Sequence, residues 1–479
     1  MTTAPLWTSA AMTQAMRAAP RGALPEAITG ISIDSRTLAP GEAYFAIKGE
    51  VHDGHDFVEA ALGRGAALAV VAKDHAKKFA PDARLLIVDD VLAGLVDLAR
   101  AARARFGGKV IAVTGSVGKT STKEALRTVL AAQGETHVSA ASFNNHWGVP
   151  LSLARCPQAA QFAVFEIGMN HPGEITPLVA LVRPHVAIIT TVEPVHLEFF
   201  PNVEAIADAK AEIFTGVEPG GAAVLNRDNP QFSRLKAAAK KAGVKRVVTF
   251  GADAKADARL LDVALHPACS AVRARVLGHD VAYKIGMPGR HMAMNSLAVL
   301  AAAELAGADL ALSALALSQL APAAGRGVRR ALALGGGTAT LIDESYNANP
   351  ASMAAALTVL GQAEVGPRGR RIAVLGDMLE LGAASPDLHA GLAGPIAANG
   401  IDAVFCCGPL MRHLWDALPS AKKGGYAVNA AELEPQVTAA IGAGDAVMVK
   451  GSAGSRMKTI VTALEKRFPG KAALYDAVV

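Results

Sequence analysis

Residues 111–126, IAVTGSVGKTSTKEAL, set Gly115, Ser116, Val117, Gly118, Lys119, Thr120 and Ser121 between a short apolar run and a stretch with helical spacing. A strand, a tight glycine turn and a helix are expected, the context in which backbone N–H groups and a helix N-terminus hold phosphate. The loop lacks the usual first glycine: Val113 stands there, and the earlier glycine is Gly115. Gly115 and Gly118 can still turn N–H groups onto phosphate oxygens, while the helix start adds roughly half a positive charge. Lys119 is placed to reach terminal phosphates, and Thr120 to offer its hydroxyl to Mg²⁺. An ordinary glycine turn explains the glycines but not the Lys-Thr-Ser that follows them.

Other candidates stand where strands are expected to end, because ligands gather at the C-terminal ends of strands in parallel α/β sheets. Glu166 closes FAVFEIG, and Glu193 and His196 follow AIITTV. A lone carboxylate in such a place caps about as often as it functions, but both sites share a domain with the glycine loop. Magnesium on a nucleotide keeps several waters, so Thr120 and Glu166 suffice for it. His196 is a less usual magnesium ligand and fits a structural histidine equally well. Lys210, within the helical run IADAKAEIF, reads as a solvated lysine. Arg326 follows a glycine, and Asp343 ends the strand of ATLIDESYNANPASM. A strand-to-loop turn is the plain reading there, and a closing domain that brings an arginine to a nucleotide phosphate is the sharper one.

Holding these residues takes more than one core, since 479 residues exceed a single compact domain. Residues 1–89 hold short strand-like runs (AYFAIKG, AALAVVA, RLLIVDD), and the helix VLAGLVDLARAARARF leads from a boundary near Asp90 to the strand before the glycine loop. Residues 90–320 alternate strands such as FAVFEIG and HVAIITTV with helices such as NVEAIADAKAEIF, as parallel βα units do. Residues 321–479 repeat the alternation in ATLIDES, RIAVLGD, DAVFCCG and DAVMVKGS, a Rossmann-like pattern without GxGxxG. The expected fold class is α/β in three domains: a small α/β domain, a central P-loop-type parallel-sheet domain and a C-terminal Rossmann-like domain.

Composition narrows the function. Apolar residues make up 51% and charged ones 19%, and the net charge of +5 is dispersed, which disfavours nucleic acid and suits anionic small molecules. Cys156, Cys269, Cys406 and Cys407 lack CxxC spacing and read as reduced thiols of a cytoplasmic protein. No secretory pattern opens the chain, and Glu304 and Asp309 interrupt its Ala/Leu-rich stretch, so neither a signal peptide nor a membrane span is expected.

Together these stretches resemble the Mur ligases of bacterial cell-wall synthesis, whose own phosphate loop has the short form TGSVGKTS. The resemblance spans all three domains. In the first, DSRTLAPGEAYFAIKGEVHDGHDFVEAALGRGA resembles the uridine-nucleotide segment; in the second, FNNHWGVPLSL, FEIGMNHPGEI, HLE, AKAEIF and PGRHMAMNSLAVLAA match in order; in the third, GRGVRR, LIDESYNANPASM and VLGDMLELG match. The last two are features of the D-alanyl-D-alanine-adding branch. The resemblance implies uridine-nucleotide contacts for Ser35, Arg36, Asp53, Gly54 and His55. It implies magnesium at Thr120 and Glu166, a second magnesium at His196, and carbamylation of Lys210, which turns an ammonium into a carboxylate-like ligand. Asn295, Arg326 and Asp343 would hold ATP, Asn144 and Asn145 would line the substrate cleft, and Tyr346, Asn347 and Asn349 would face the amine substrate. The chain departs from the common pattern at Glu193 and Val195, where small residues are frequent, and at Phe199-Phe200-Pro201, where a Gly-Ser turn is frequent.

The implied reaction uses ATP to make an acyl phosphate of the terminal carboxylate of UDP-N-acetylmuramoyl-tripeptide, which the amine of D-alanyl-D-alanine attacks to give an amide, ADP and phosphate. Lys119, Arg326 and the metals would neutralise charge on the transferred phosphoryl. A monomer is expected. A folylpolyglutamate-synthase-like ligase would share the loop but not the first domain. A GTP-binding switch would need Asn-Lys-x-Asp, and the similar NRDN at 226–229 has arginine for the lysine.

Overall fold

A computed structural model describes residues 5–140 and 142–470, so the outer ends of the first and third expected domains, residues 1–4 and 471–479, lie outside the described residues. Near the N-terminus five short strands form one sheet, in the spatial order Ala19–Arg21, Leu85–Val88, Leu68–Ala72, Glu42–Phe45, Gly30–Ser32. All its pairings are parallel except that of Ala19–Arg21. The helix Val91–Arg105 begins where Asp90 accepts a hydrogen bond from the Ala93 N–H, so the end of RLLIVDD is also a helix cap.

That helix belongs to two cores. Leu95, Leu98 and Ala102 pack with Ile31 and Leu86 of the first sheet, while Ala99 packs with Val110 and Phe165 of the next. Arg103, buried near its end, donates to the carbonyls of Val182 and Arg183 and to Glu218. Together with bonds from Trp7 Nε1 to the Ala154 carbonyl and from Arg155 Nε to the Ile31 carbonyl, this fastens the first domain to the second.

The central sheet has nine strands. Lys109–Thr114 lies inside it, flanked by Phe162–Glu166 on one side and Val186–Ile189 on the other, both parallel to it. Successive residues of these strands alternate between two apolar layers: Ile111, Val113 and Ile188 on one face, Val110, Ala112 and Phe165 on the other. Burial on both faces is why the strands read as continuous apolar runs. The expectation of parallel βα units holds through Ala258, after which the chain departs from it. Ala258–Leu265, Ser270–Val276 and His279–Ile285 form an antiparallel meander at the sheet edge. Its second turn places Leu277 (φ 48°) and Gly278 (φ 97°) both in the left-handed region, as a two-residue hairpin turn requires. The Ala-rich helix Arg290–Leu305 packs on this extension.

The third domain has six strands in the order Val328–Leu334, Gly337–Glu344, Ala446–Lys450, Arg371–Gly376, Ala403–Cys407, Lys423–Ala427, parallel except for the first. Cys406 and Cys407 point to its two opposite apolar layers, and burial pushes both thiols up to about 12. All four cysteines are free. No helix among the described residues is long and apolar enough to cross a membrane.

Candidate active site

The glycine loop leaves Lys109–Thr114 where the chain next moves to strands on either side of it, the switch point at which α/β sheets bind ligands. Val113 is still a paired strand residue, so the turn cannot begin before Gly115 and the loop is short for that reason. At Gly115 (φ 149°) an added Cβ would meet Thr190 Oγ1 at 1.9 Å, and at Gly118 (φ 87°) it would meet Asn295 Nδ2 at 2.7 Å. Both positions therefore need glycine. Gly118 starts the helix Lys119–Ala131 without any side-chain cap. The end of the neighbouring strand carries the loop: Thr190 Oγ1 donates to the Val117 carbonyl (2.5 Å), Ser116 N–H to the Thr191 carbonyl (2.8 Å), and Glu193 N–H to Ser116 Oγ (2.9 Å). Glu193 thus supports the loop through its backbone, which leaves its side chain free to differ from the small residues common there.

Lys119 Nζ donates to the Gly115 carbonyl at 2.7 Å, which folds the side chain over the loop. Burial lowers its pKa, Glu166 opposes that shift and Arg326 adds to it. Glu166, only 1% exposed, is held by two donors: Thr120 Oγ1 on Oε2 (2.9 Å) and Asn144 Nδ2 on Oε1 (2.8 Å). Lys210 is not solvated, contrary to its reading as an isolated helical lysine. It is 2% exposed on the helix Val203–Ala211, and burial and then Lys119 push its pKa well below the ordinary lysine value. Its sequence could not disclose this, because the neighbours that bury it come from other elements.

Lys119, Thr120, Asn144 and Glu166 border a cavity of about 560 Å³ between the central and third domains, whereas Lys210 is not among the residues that line it. The central domain lines it with Ser116–Ser121, Asn144, Glu166, His196 and Asn295. The third contributes Arg326, Tyr346, Asn347 and Asn349. Arg326 lies over the Tyr346 ring, 4.1 Å from its centroid, and the Gly325 carbonyl accepts from the Tyr346 N–H. Asn349 also caps the helix Pro350–Gly361 in a capping box with Ser352. His196 has a left-handed backbone (φ 56°), and its Nδ1 lies 2.6 Å from Glu380 Oε2 of the third domain.

Other expected residues lie off this cavity. Asp343, 1% exposed, accepts from Ser345 and pairs with Lys458 Nζ at 2.8 Å. Asn145 Oδ1 accepts from the N–H of Gly148, the first residue of the helix Gly148–Ala154. Ser35, Arg36, Asp53, Gly54 and His55 are in the first domain. Arg36 forks onto Asp34 and holds that carboxyl down at about 2, while Asp53 accepts from both the N–H and Nδ1 of His55. Asp53, His55 and His75 are close enough to suggest a metal site. His55 Nε2, however, accepts from the Ala72 N–H, so both ring nitrogens are engaged and no lone pair is left for a cation.

Lining residues not singled out from sequence include Glu344, Lys450, His291 and Arg329. Lys450 ends the strand Ala446–Lys450, and its buried Nζ bonds Glu344 (3.3 Å) and the Asn347 carbonyl (2.9 Å). The rule that sites gather at strand ends would have found it in DAVMVKGS. Lys119, Arg326, Arg329 and Lys450 line the cavity together with Glu166, Glu193 and Glu344. A hydroxyl and a buried carboxylate beside a helix N-terminus make a hard oxygen donor set, and Thr120 with Glu166 fits magnesium on a nucleotide. His196 adds a nitrogen at the rim.

Three family profiles match the chain: Mur ligase family, catalytic domain, over residues 27–103; Mur ligase middle domain, over residues 113–303; and Mur ligase, glutamate ligase domain, over residues 329–453. The UDP-N-acetylmuramoyl-tripeptide--D-alanyl-D-alanine ligase of Rickettsia prowazekii is 31% identical over 90% of this chain and 94% of its own. A crystal structure of MurF from Acinetobacter baumannii superposes with a TM-score of 0.82 at 29% identity, covering 96% of this chain and 99% of that one. MurF from Thermotoga maritima in complex with ADP gives 0.73 at 26% identity, covering 91% and 98%.

Proposed function

Since the chain belongs to the Mur ligase family, we propose that it joins D-alanyl-D-alanine to UDP-N-acetylmuramoyl-tripeptide at the expense of ATP, in peptidoglycan precursor synthesis. The observation that carries this reading is one cavity with a phosphate loop on the central domain and Arg326 with the SYNAN turn on the third. A nucleotide on one wall and an acceptor amine on the other meet there. The division of labour follows the units 1–89, 90–320 and 321–479: uridine nucleotide, ATP, amine.

Residues 115–121 cradle the ATP phosphates, and Lys119 and Arg326 face the group in transfer. An oxygen of the tripeptide's terminal carboxylate attacks the γ-phosphorus and ADP leaves. The dipeptide amine then attacks the acyl carbon, loses a proton, and phosphate departs. Lys119, once lifted from the Gly115 carbonyl, and Arg326, steadied on Tyr346, neutralise charge that grows only in these steps. Thr120 and Glu166 would hold one magnesium and His196 a second; the ions would supply Lewis-acid stabilisation of phosphoryl oxygens. Asn144 fixes Glu166 for that task.

The burial of Lys210 supports its carbamylation. A lysine with a depressed pKa presents a neutral Nζ that can form an N–C bond to carbon dioxide and release a proton. The carbamate then carries the negative charge that the cationic surroundings of Lys119 favour. Ser35, Arg36, Asp53, Gly54 and His55 are assigned to the uridine nucleotide, Asn144 and Asn145 to the substrate cleft, and Asn295, Arg326 and Asp343 to ATP.

Phosphate release tests the reading, measured with ATP, UDP-N-acetylmuramoyl-tripeptide and D-alanyl-D-alanine and with each omitted in turn. Full release should need all three. Equal release with free glutamate or diaminopimelate in place of the dipeptide would overturn the assignment of the acceptor.

A further inference from the structure

The run VLGDMLELG carries a family resemblance but no assigned role, and the structure gives its Glu380 an unusual setting. Glu380 sits in the loop after the strand Arg371–Gly376, with a left-handed backbone at φ 63°. The loop is anchored on both sides: Met378 and Leu381 are buried in the third domain's core, Met378 N–H donates to His389 Nε2 and Leu379 N–H to Ser452 Oγ. From this base Glu380 crosses to the central domain. Its Oε2 lies 2.6 Å from His196 Nδ1, and its carbonyl accepts from the Glu198 N–H at 3.3 Å. His196 is itself left-handed, so two residues in a conformation that side chains with a Cβ rarely adopt meet at this contact between domains.

The chemistry of that contact is directional. A carboxylate on Nδ1 fixes the neutral imidazole tautomer with the proton on Nδ1, and the lone pair of Nε2 is left for a cation. His196 lines the cavity, so the nitrogen left available belongs to a residue of the active site. We propose that Glu380 is a positioning residue, lent by the third domain to the central domain's cation site, that orients His196 and so ties binding of the second cation to domain docking. The inference rests on the reading of His196 as a cation ligand.

Mn²⁺ titration followed by electron paramagnetic resonance, on the full chain with a non-hydrolysable ATP analogue, tests it alongside the side-chain ¹H–¹⁵N spectrum of His196. Glu380→Gly suits the φ of the site, so it removes the carboxylate while keeping the loop. It should weaken the second Mn²⁺ about 10- to 100-fold and release the His196 tautomer. Glu380→Gln keeps an oxygen for the Nδ1–H and should restore both. If Gln weakens Mn²⁺ as much as Gly does, Glu380 acts as a ligand or by charge and the positioning role is wrong. If His196→Ala weakens Mn²⁺ while Glu380→Gly leaves affinity and tautomer unchanged, this inference alone fails. If His196→Ala leaves Mn²⁺ binding unchanged, the reading of His196 as a ligand fails with it.

Discussion

With its Nζ only 2.7 Å from the Gly115 carbonyl, Lys119 closes the phosphate loop on itself, and a γ-phosphate would have to take over that bond. Lys119→Ala should therefore lower turnover by at least ~10²-fold, the scale for one preorganised charge-stabilising donor, and leave the melting temperature close to the parent's. Near-normal turnover in a steady-state assay would end the phosphate role. Lys210 makes a different kind of prediction, because its depressed pKa is also a statement about stability. The unfolded chain keeps the lysine proton up to about 10.5, whereas the folded chain releases it at lower pH. Between those values the unfolded state binds more protons, so stability rises with pH, and the cost of burying the amine is greatest below the folded value. Lys210→Met should thus melt higher than the parent at neutral pH in CO₂-free buffer, with a flatter pH dependence. The same protein should be nearly inactive. Lys210→Ala should be inactive too, and partly rescued by short carboxylates. Inactivity without rescue would leave the carbamate unsupported, and full activity would remove Lys210 from the site.

At the scale of elements, strand–turn–helix at residues 109–131 was legible because apolar run, glycine spacing and helical spacing all point the same way. The strand end at Glu166 and the helix that follows Asp90 were legible in the same way, whereas the strand expected to end at Asp343 runs one residue further, to Glu344. The antiparallel meander of residues 258–285 was not foreseen. Alternation such as that of Ser270–Val276, buried at every second residue, is weaker than the continuous apolar runs of doubly covered strands. What local reading could not supply is what reaches a residue from elsewhere: the burial of Lys210, the pairing of Lys450 with Glu344, the carboxylate of Glu380 on His196. The phosphate loop also gives a test at this scale. Gly115→Ala places a methyl group where Thr190 Oγ1 already sits, so the loop must move off the strand end that carries it. ATP KM should rise and kcat fall, and pairing the change with Thr190→Ser should rescue little, because Oγ1 remains. Unchanged kinetics for Gly115→Ala would mean that the loop geometry is not needed for nucleotide binding.

Across the whole molecule, the cavity exists only where two domains meet, and the two walls hold different substrates on this reading. Arg326 and Tyr346 lie on the same wall, with the guanidinium 4.1 Å from the ring centroid, so the tyrosine has two separable tasks. Its face supports an arginine directed at phosphate, and its hydroxyl, on a side chain 41% exposed, is available to the incoming dipeptide. Tyr346→Phe keeps the face and should raise the D-alanyl-D-alanine KM with little change in ATP KM. Tyr346→Ala loses both and should also lower kcat, since an arginine without its aromatic support is less well placed for the transferred phosphoryl. A site built to bond polar groups rejects analogues that lack them by up to ~10⁴ to 10⁵, so the parent should prefer the dipeptide strongly over single D-alanine, and Tyr346→Phe should narrow that preference. Steady-state kinetics with both acceptors decides the matter. If Tyr346→Phe raises ATP KM as much as dipeptide KM, the third domain's SYNAN turn serves the nucleotide, and the acceptor must be held by other residues of that wall.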